Sequence, residues 1–498
     1  LKNYVLAIDE GTTGTTAMVF DRAGTVLSKV NKEFTQYFPQ GGWVEHDPEE
    51  IWQCTLATVE KALAQAGITA ADLASLGITN QRETSVFWKK GGTEPVGRAI
   101  VWQCRRSAGI CDRMRAEGHE EKFKMATGLV LDPYFSGTKI TWRMENDPDF
   151  AKMAIAGEIN FGTIDSWLVA RLTGGRVHAT DYSNASRTLM YNIHALDWDQ
   201  GLLEVLGVPA SMLPEVKPSC GIFGETDPEC FFGVSVPIGG VAGDQQAALF
   251  GQACYRKGMT KNTYGTGSFV LVNTGDDAVS SDTGMLTTIA WGIDGKVTYA
   301  LEGSIFITGA AIQWLRDGLH LIESAEQTGP LAEKVEDTGG VYFVPALVGL
   351  GAPYWDPYAR GAILGITRGT SREQIVRATV EAMAYQTRDV LEAMTSDSGI
   401  GPATMRVDGG ASVMDVLLQF QADLLGIEVQ RPVVSETTAL GAAYLAGLAV
   451  GYWKSIDEIE RIWCAERTFT PVGDRTGIEA KYAGWKRAVE RSRDWEEH

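Results

Sequence analysis

The chain predicts an α/β protein of two domains, and three observations predict it. Its 498 residues exceed what one ordinary hydrophobic core encloses. Strand-like apolar runs alternate with helical periodicities along the whole length. A Gly/Thr-rich turn between two strand-like segments occurs once in each half, at residues 11–15 and again at 263–267.

Hydrophobic content of 44% and charged content of 21% are those of a globular protein. The formal net charge of -19 argues against nucleic acid or an anionic membrane as partner, since like charges repel. The seven cysteines are scattered and form no CxxC pair. Free thiols in a reducing cytoplasm are therefore expected, not a disulfide framework or a zinc site. The first residues, LKNYVLAIDEG, run straight into a strand without the succession of a signal peptide. The longest apolar run, 439–453, is shorter than the roughly 20 residues a membrane-spanning helix needs. It reads as a buried helix pair.

Residues 4–20, YVLAIDEGTTGTTAMVF, form a strand, a Gly/Thr turn and a second strand. Asp9 stands at the strand end, while Thr12, Thr13 and Thr15 supply donors and Gly11 and Gly14 let the turn fold around an anion. The chain has no GxxxxGK[ST] sequence, which excludes a P-loop nucleotidase. Asp47, Pro48 and Glu50 open a helix whose core face is Trp52, Leu56, Val59 and Leu63. A strand over 73–78 then delivers TNQRET, a polar cluster containing Arg82 and Glu83 at the strand end where α/β sheets place ligands. The pair is either a surface ion pair of little worth or a donor fork and acceptor for the hydroxyls of a small polyol.

Residues 99–105, AIVWQCR, predict another strand, with Trp102 available to line a pocket. Tyr134 lies on a Pro/Gly-marked loop that leads into a helix. Residues 161–188 read as strand, helix, Gly turn and polar loop, with Asp165 capping the helix or contacting the neighbouring loop. Residues 301–319 read as a strand end and a Gly-broken entry into a helix, and the Gly/Pro/aromatic stretch 344–370 as structural. Thr370 and Glu373 have the spacing of a capping box, and Val376, Val380, Met383, Thr387, Val390 and Met394 mark one face of the long helix that follows. Residues 405–410, MRVDGG, are a strand with paired glycines before a helix beginning near Ser412, where bare backbone can admit a flat base and sugar.

The centre of the chain, 239–270, joins these parts. Asp244 follows an apolar strand and two glycines, and about twenty residues on comes the second Gly/Thr turn. A general base and a phosphate cradle would thus lie side by side; the plainer alternative is a helix cap beside a hairpin. The expected domain boundary lies near 250–258, dividing the chain into 1–253 and 254–498.

Two Gly-rich hairpins and a late strand with paired glycines resemble the phosphate and adenosine motifs of the actin-like ATPase fold, which is ribonuclease H-like and sets two domains about a deep central cleft. The likeness of EGTTGTTAMV to YGTGSFVLV suits a duplicated half. Longer segments choose within that fold: TNQRET, SGTKITW, GRVHATDYSNASRT, AGDQQAALFGQ, TYGTGSF, ALEG, TGAAIQWLRD and GAPYWDPYARGAILGITRG each resemble the glycerol-phosphorylating branch of the FGGY carbohydrate kinase family. The resemblance runs from residue 4 to about 470.

It implies ATP-dependent phosphorylation of glycerol to sn-glycerol 3-phosphate, with Mg²⁺ as cofactor. Arg82, Glu83, Tyr134 and Asp244 would hold the hydroxyls with Gln245 beside them, and Trp102 and Phe269 would form the apolar wall. Asp244 would be the base, with Asp9 and Asp244 at the metal. Thr12, Thr13 and Gly14 would bind the transferring phosphates, and Thr266, Gly309, Gln313 and Gly410 the nucleotide. Family members are often homodimers or homotetramers. The chain departs from the family at Thr16, where many relatives have arginine, and at Met414, where an asparagine usually helps hold adenine. Ser235 replaces an arginine that binds fructose 1,6-bisphosphate in some relatives, and Cys230 a phosphorylatable histidine, so neither input is expected here. A kinase for a larger polyol or ketose such as erythritol or xylulose, and a non-catalytic actin-like nucleotide-binding module, are the competing readings.

Overall fold

The computed structural model describes residues 2–496. Its first sheet is built from β1 (Tyr4–Glu10), β2 (Gly14–Phe20), β3 (Val26–Glu33), β4 (Leu73–Asn80), β5 (Cys220–Glu225) and β6 (Pro237–Gly243), in the order β5-β6-β4-β1-β2-β3. The second comprises β7 (Met259–Tyr264), β8 (Ser268–Gly275), β9 (Leu286–Ile293), β10 (Lys296–Ile305), β11 (Thr404–Gly409), β12 (Val429–Pro432) and β13 (Ala465–Phe469), in the order β9-β10-β8-β7-β11-β12-β13.

The two sheets repeat one plan. In each, a hairpin and a third antiparallel strand (β1-β2-β3, β7-β8-β10) are extended on the other side of the first strand by two parallel strands (β4-β6, β11-β12). The likeness between the two Gly/Thr turns is therefore a likeness of position: each joins the first two strands of its sheet.

The helices show why their residues form them. α1 (Pro48–Ala66) starts on Asp47, whose carboxylate accepts from the Glu49 amide at 2.9 Å, with Pro48 at the first position and Gly67 in the left-handed region at its end. Trp52, Val59 and Leu63 are buried, and Leu56 packs against the same core. α2 (Asp244–Gly251) follows β6 directly, and α3 (Gly309–Asp317) follows β10 after a short turn. α4 (Arg372–Ser398) buries the whole face from Val376 to Met394 that its spacing predicts.

α5 (Thr437–Ala449) decides how the halves sit together. It leaves the second half of the chain and packs on β4, β6 and α2 of the first. The approach is so close that a Cβ at Gly77 would meet the Ala442 carbonyl oxygen at 2.2 Å, and one at Gly441 would meet that of Ala247 at 1.8 Å. Val5, Ala7, Met18 and Phe20 of the first sheet share a core with its alanines and leucines.

Several expectations need correction. Residues 439–453 are one helix followed by a turn, not a helix pair, because Gly451 adopts φ 70° and folds Tyr452 and Trp453 back as buried side chains. The capping box is Ser371 with Gln374, one residue later than expected, since the Thr370 hydroxyl instead accepts the Thr367 amide at 2.9 Å. The strand over 99–105 shrinks to Ala99–Ile100, because the Cys104 amide turns back to the Val101 carbonyl. The helix expected near Ser412 begins at Asp415 after a single 3-10 turn. Asp165 needs no correction: of its two expected roles it takes the contact with the neighbouring loop, accepting from Thr163 (2.5 Å) and Thr180 (2.7 Å).

Candidate active site

The site assembles where the C-terminal ends of β1, β4 and β6 face the hairpin ends of the second sheet. β4 ends at Asn80, and the following residues turn sharply enough to place Glu83 at φ 64°, a strained conformation for a side-chain-bearing residue. The turn brings Arg82 and Glu83 inward as buried charges. Arg82 Nε lies 3.1 Å from Asp244 Oδ1, and its Nη2 donates to the Tyr134 hydroxyl at 3.4 Å. The Phe269 ring sits 6.0 Å beneath the guanidinium. Trp102 packs edge-on against Tyr134 at 5.5 Å, and its indole nitrogen donates to Thr12 Oγ1 at 2.9 Å. The residues expected to hold a polyol thus stand together, and Trp102 ties them to the first hairpin.

Which charges lie beneath them is decided by the tertiary fold. Glu302, on β10 of the second sheet, takes Arg82 bidentately at 2.5 and 3.0 Å and Arg187 at 3.0 Å. Arg187 also donates to Glu83 at 2.7 Å. Burial pushes the Glu302 carboxyl up, but Arg187 and Arg82 more than offset it and hold the group at about 2. Burial wins at Glu83, whose carboxyl is raised, because only Arg187 is close and Arg82 Nε stands 4.0 Å away. The Arg187 Nη1 group has no partner among the described residues. The signal for this network was present as charge out of pattern, in ALEG and SNASRT.

Gln245 follows Asp244 on α2 and accepts from Lys261, a fully buried lysine on β7 that also donates to Thr263 Oγ1 at 2.8 Å. Burial lowers the Lys261 ammonium to about 8, against the raising fields of Asp408, Asp244 and Glu302. Asp9, at the end of β1, is raised to about 7 by burial and then by the charges of Asp244 and Glu436, with Lys29 pulling the other way.

Both hairpins present backbone. The Gly11 amide bonds the Gly14 carbonyl at 3.0 Å, and a Cβ on Gly14 would meet Lys32 backbone at 2.6 Å. Thr12 is half-buried and Thr13 exposed, their carbonyls taken by Gln36 and the Phe34 amide. In the second hairpin the Gly265 amide bonds the Gly267 carbonyl at 2.8 Å, and α3 starts directly on it, with the Gly309 and Ala310 amides donating to Gly265 and Thr266 at 3.0 Å. Gln313 is exposed one turn further along α3. Gly410 has open space where a Cβ would stand, one residue after Gly409 closes against Tyr264. Thr16 pairs across from Asp9 and accepts from Asn31 at 3.0 Å, and Met414 is buried.

The N-terminal domain of the FGGY family of carbohydrate kinases matches residues 4–251, and the C-terminal domain of that family matches residues 260–450. This chain belongs to the FGGY family of carbohydrate kinases. Within it, the chain is 61% identical to glycerol kinase 2 of Thermotoga maritima and 60% identical to glycerol kinase of Carboxydothermus hydrogenoformans, over 99% of each chain in both comparisons. Among solved structures it is similar to Plasmodium falciparum glycerol kinase with ADP, at a TM-score of 0.92 and 35% identity over 98% of both chains. The two-domain α/β architecture with two mixed sheets is that of the FGGY family.

Proposed function

We propose that this protein is an ATP-dependent glycerol kinase that forms sn-glycerol 3-phosphate; the names of its full-length relatives say glycerol kinase of them. The observation that carries the reading is the convergence of Asp244, Tyr134 and Glu83 on Arg82, at the cleft between the two hairpins. Asp244 opens α2 with about a third of its side chain exposed, where a hydroxyl of a bound triol can reach it.

In this reading Arg82 and Tyr134 donate to two glycerol hydroxyls and Glu83 accepts from one. Trp102 and Phe269 close on the carbon chain and leave little room beyond three carbons. Asp244 accepts the proton of the attacking hydroxyl as its oxygen bonds to the γ-phosphorus and the bond to the ADP oxygen breaks. Thr12, Thr13, Gly14 and Thr266 supply donors to the phosphates, and Gly309, Gln313 and Gly410 line the path of the nucleotide. The ADP in the structurally similar Plasmodium protein supports ATP as the phosphoryl donor.

The donor set fits Mg²⁺. Asp9 is raised by burial and then by the charge of Asp244, a repulsion that a divalent cation would relieve, and among the described residues no group of three ligating side chains offers a closed metal cage. Magnesium is held in this way by one or two carboxylates, water and phosphate, and when bound neutralises charge on the phosphates. The boundary we assign, 253/254, separates the strands of the two sheets. We place the protein in the cytoplasm, a reading that seven free cysteines suit; no helix among the described residues is long and apolar enough to cross a membrane. A homodimer or homotetramer is the assembly we expect, with sedimentation velocity as its check.

The reading is tested by ADP release across glycerol, dihydroxyacetone, erythritol and xylulose. Highest kcat/KM with glycerol is expected, and preference for a four- or five-carbon substrate would overturn it.

A further inference from the structure

Lys261 is fully buried on β7, yet among the described residues no carboxylate lies within ion-pair distance of its ammonium. Its partners are the neutral oxygens of Gln245 and Thr263. Burying a charge with only neutral acceptors costs stability, and an apolar residue in this strand would fold at lower cost. The charge therefore calls for a task other than folding.

The register of the second sheet places that task. Lys261 stands across from Leu271, and Thr263 across from both Phe269 and Asp408, so these side chains share the face on which α2 lies. Three of them surround the reacting groups: Phe269 under Arg82, Thr263 just ahead of the second hairpin, and Lys261 against Gln245. Gln245 is the residue next to Asp244 at the start of α2, and Asp244 Oδ1 accepts the Gln245 amide at 2.7 Å. The hydrogen bond between Lys261 and Gln245 thus joins the helix that carries the base, in the first lobe, to the strand that feeds the phosphate hairpin, in the second.

We propose that Lys261 is a positioning residue for phosphoryl transfer, tying the first turn of α2 to β7 so that Asp244 is held in line with the second hairpin. This rests on the kinase reading above. A tie of this kind acts on the transition state, where the placement of base and phosphoryl group matters, more than on the capture of glycerol, which Arg82, Glu83 and Tyr134 perform.

The test is a double-mutant cycle on the full chain, followed by ADP release with glycerol and ATP. Lys261→Met should lower kcat about 100-fold while KM for glycerol stays within about threefold. Gln245→Met should lower kcat in the same direction, and the two together no further than the larger single loss, because they cut one tie. Turnover of Lys261→Met within about threefold of the unsubstituted chain, or losses that multiply in full, would overturn the proposal. Should Lys261→Met prove unfolded by circular dichroism, Gln245→Met decides alone: a lowered kcat with KM retained supports the tie, and an unchanged kcat removes it. No glycerol-dependent ADP release by the unsubstituted chain would instead sink the kinase reading, a result distinct from an active chain indifferent to Lys261.

Discussion

Arg82 has three carboxylates around it, and each does a different thing. Glu302 takes its fork and fixes its direction, Glu83 stands off at 4.0 Å, and Asp244 meets Nε at 3.1 Å from the solvent side. Removing the Asp244 charge alone should leave the anchored guanidinium where it is. Asp244→Asn is expected to lower kcat by about 10²–10⁴-fold with an unchanged circular dichroism spectrum, and near-normal turnover would remove the base assignment. His46 ties acid sensitivity to the same region. Its Nε2 lies 2.7 Å from Gln36 Oε1 and its Nδ1 3.4 Å from Gln81 Nε2, while Gln81 also donates to the Gly11 carbonyl of the first hairpin. Burial lowers its pKa from the usual 6.5 to about 4, so the folded protein holds it neutral while the unfolded chain binds a proton. Its contribution to stability is therefore complete above about 6.5 and is lost as pH falls toward 4. The melting temperature is expected to drop between pH 7 and pH 4.5, and to drop less in His46→Gln; equal slopes would refute this role.

At the scale of elements, the hairpins and α5 obey the same constraint: backbone must approach backbone. α3 begins on the carbonyls of the second hairpin, which leaves no room for a side chain at Gly309. α5 meets α2 at paired glycines, since a Cβ on Gly251 would lie 2.0 Å from the Thr437 carbonyl oxygen and one on Gly441 1.8 Å from that of Ala247. Both neighbours are backbone, which cannot swing aside as a flexible side chain can. Gly441→Ala is expected to destabilise the protein by at least about 2 kcal/mol, read from denaturant unfolding, and to lower activity because α2 carries Asp244. Unchanged stability would mean that the helices can part without loss. The Gly/Ala-rich composition of 439–453 announced a buried segment, but periodicity has little to say about a helix apolar all round, and the helix-pair expectation failed there.

For the whole molecule, the crossing of α5 means that the strands divide at residue 253/254 while the packing does not. Without α5, the face of the first sheet that carries Val5, Ala7, Met18 and Phe20 loses its cover. A fragment of residues 1–253 is expected to lack a cooperative thermal transition and to bind a hydrophobic dye, whereas the full chain melts as a folded protein. A cooperative melt of that fragment would show that the first lobe closes its own core.

The sequence by itself determined the architecture and singled out most of the residues that gather around Arg82. Hairpin turns, caps and apolar faces are local, and Asp9, Arg82, Glu83 and Asp244 each end or follow a strand, a position that strand periodicity reveals. Tyr134 and Trp102 were legible as pocket aromatics but not as neighbours, a fact that rests on a 5.5 Å ring contact between separate loops. Only the tertiary structure decided which charges face Arg82. Glu302 reaches it across 220 residues of chain, and Arg187 reaches Glu83 across 104. The same holds for Lys261, an ordinary lysine in an alternating strand until α2 covers it. Burial turns such charges from surface decoration into obligatory partners, and burial at this cleft is created by two lobes meeting, which no local pattern encodes.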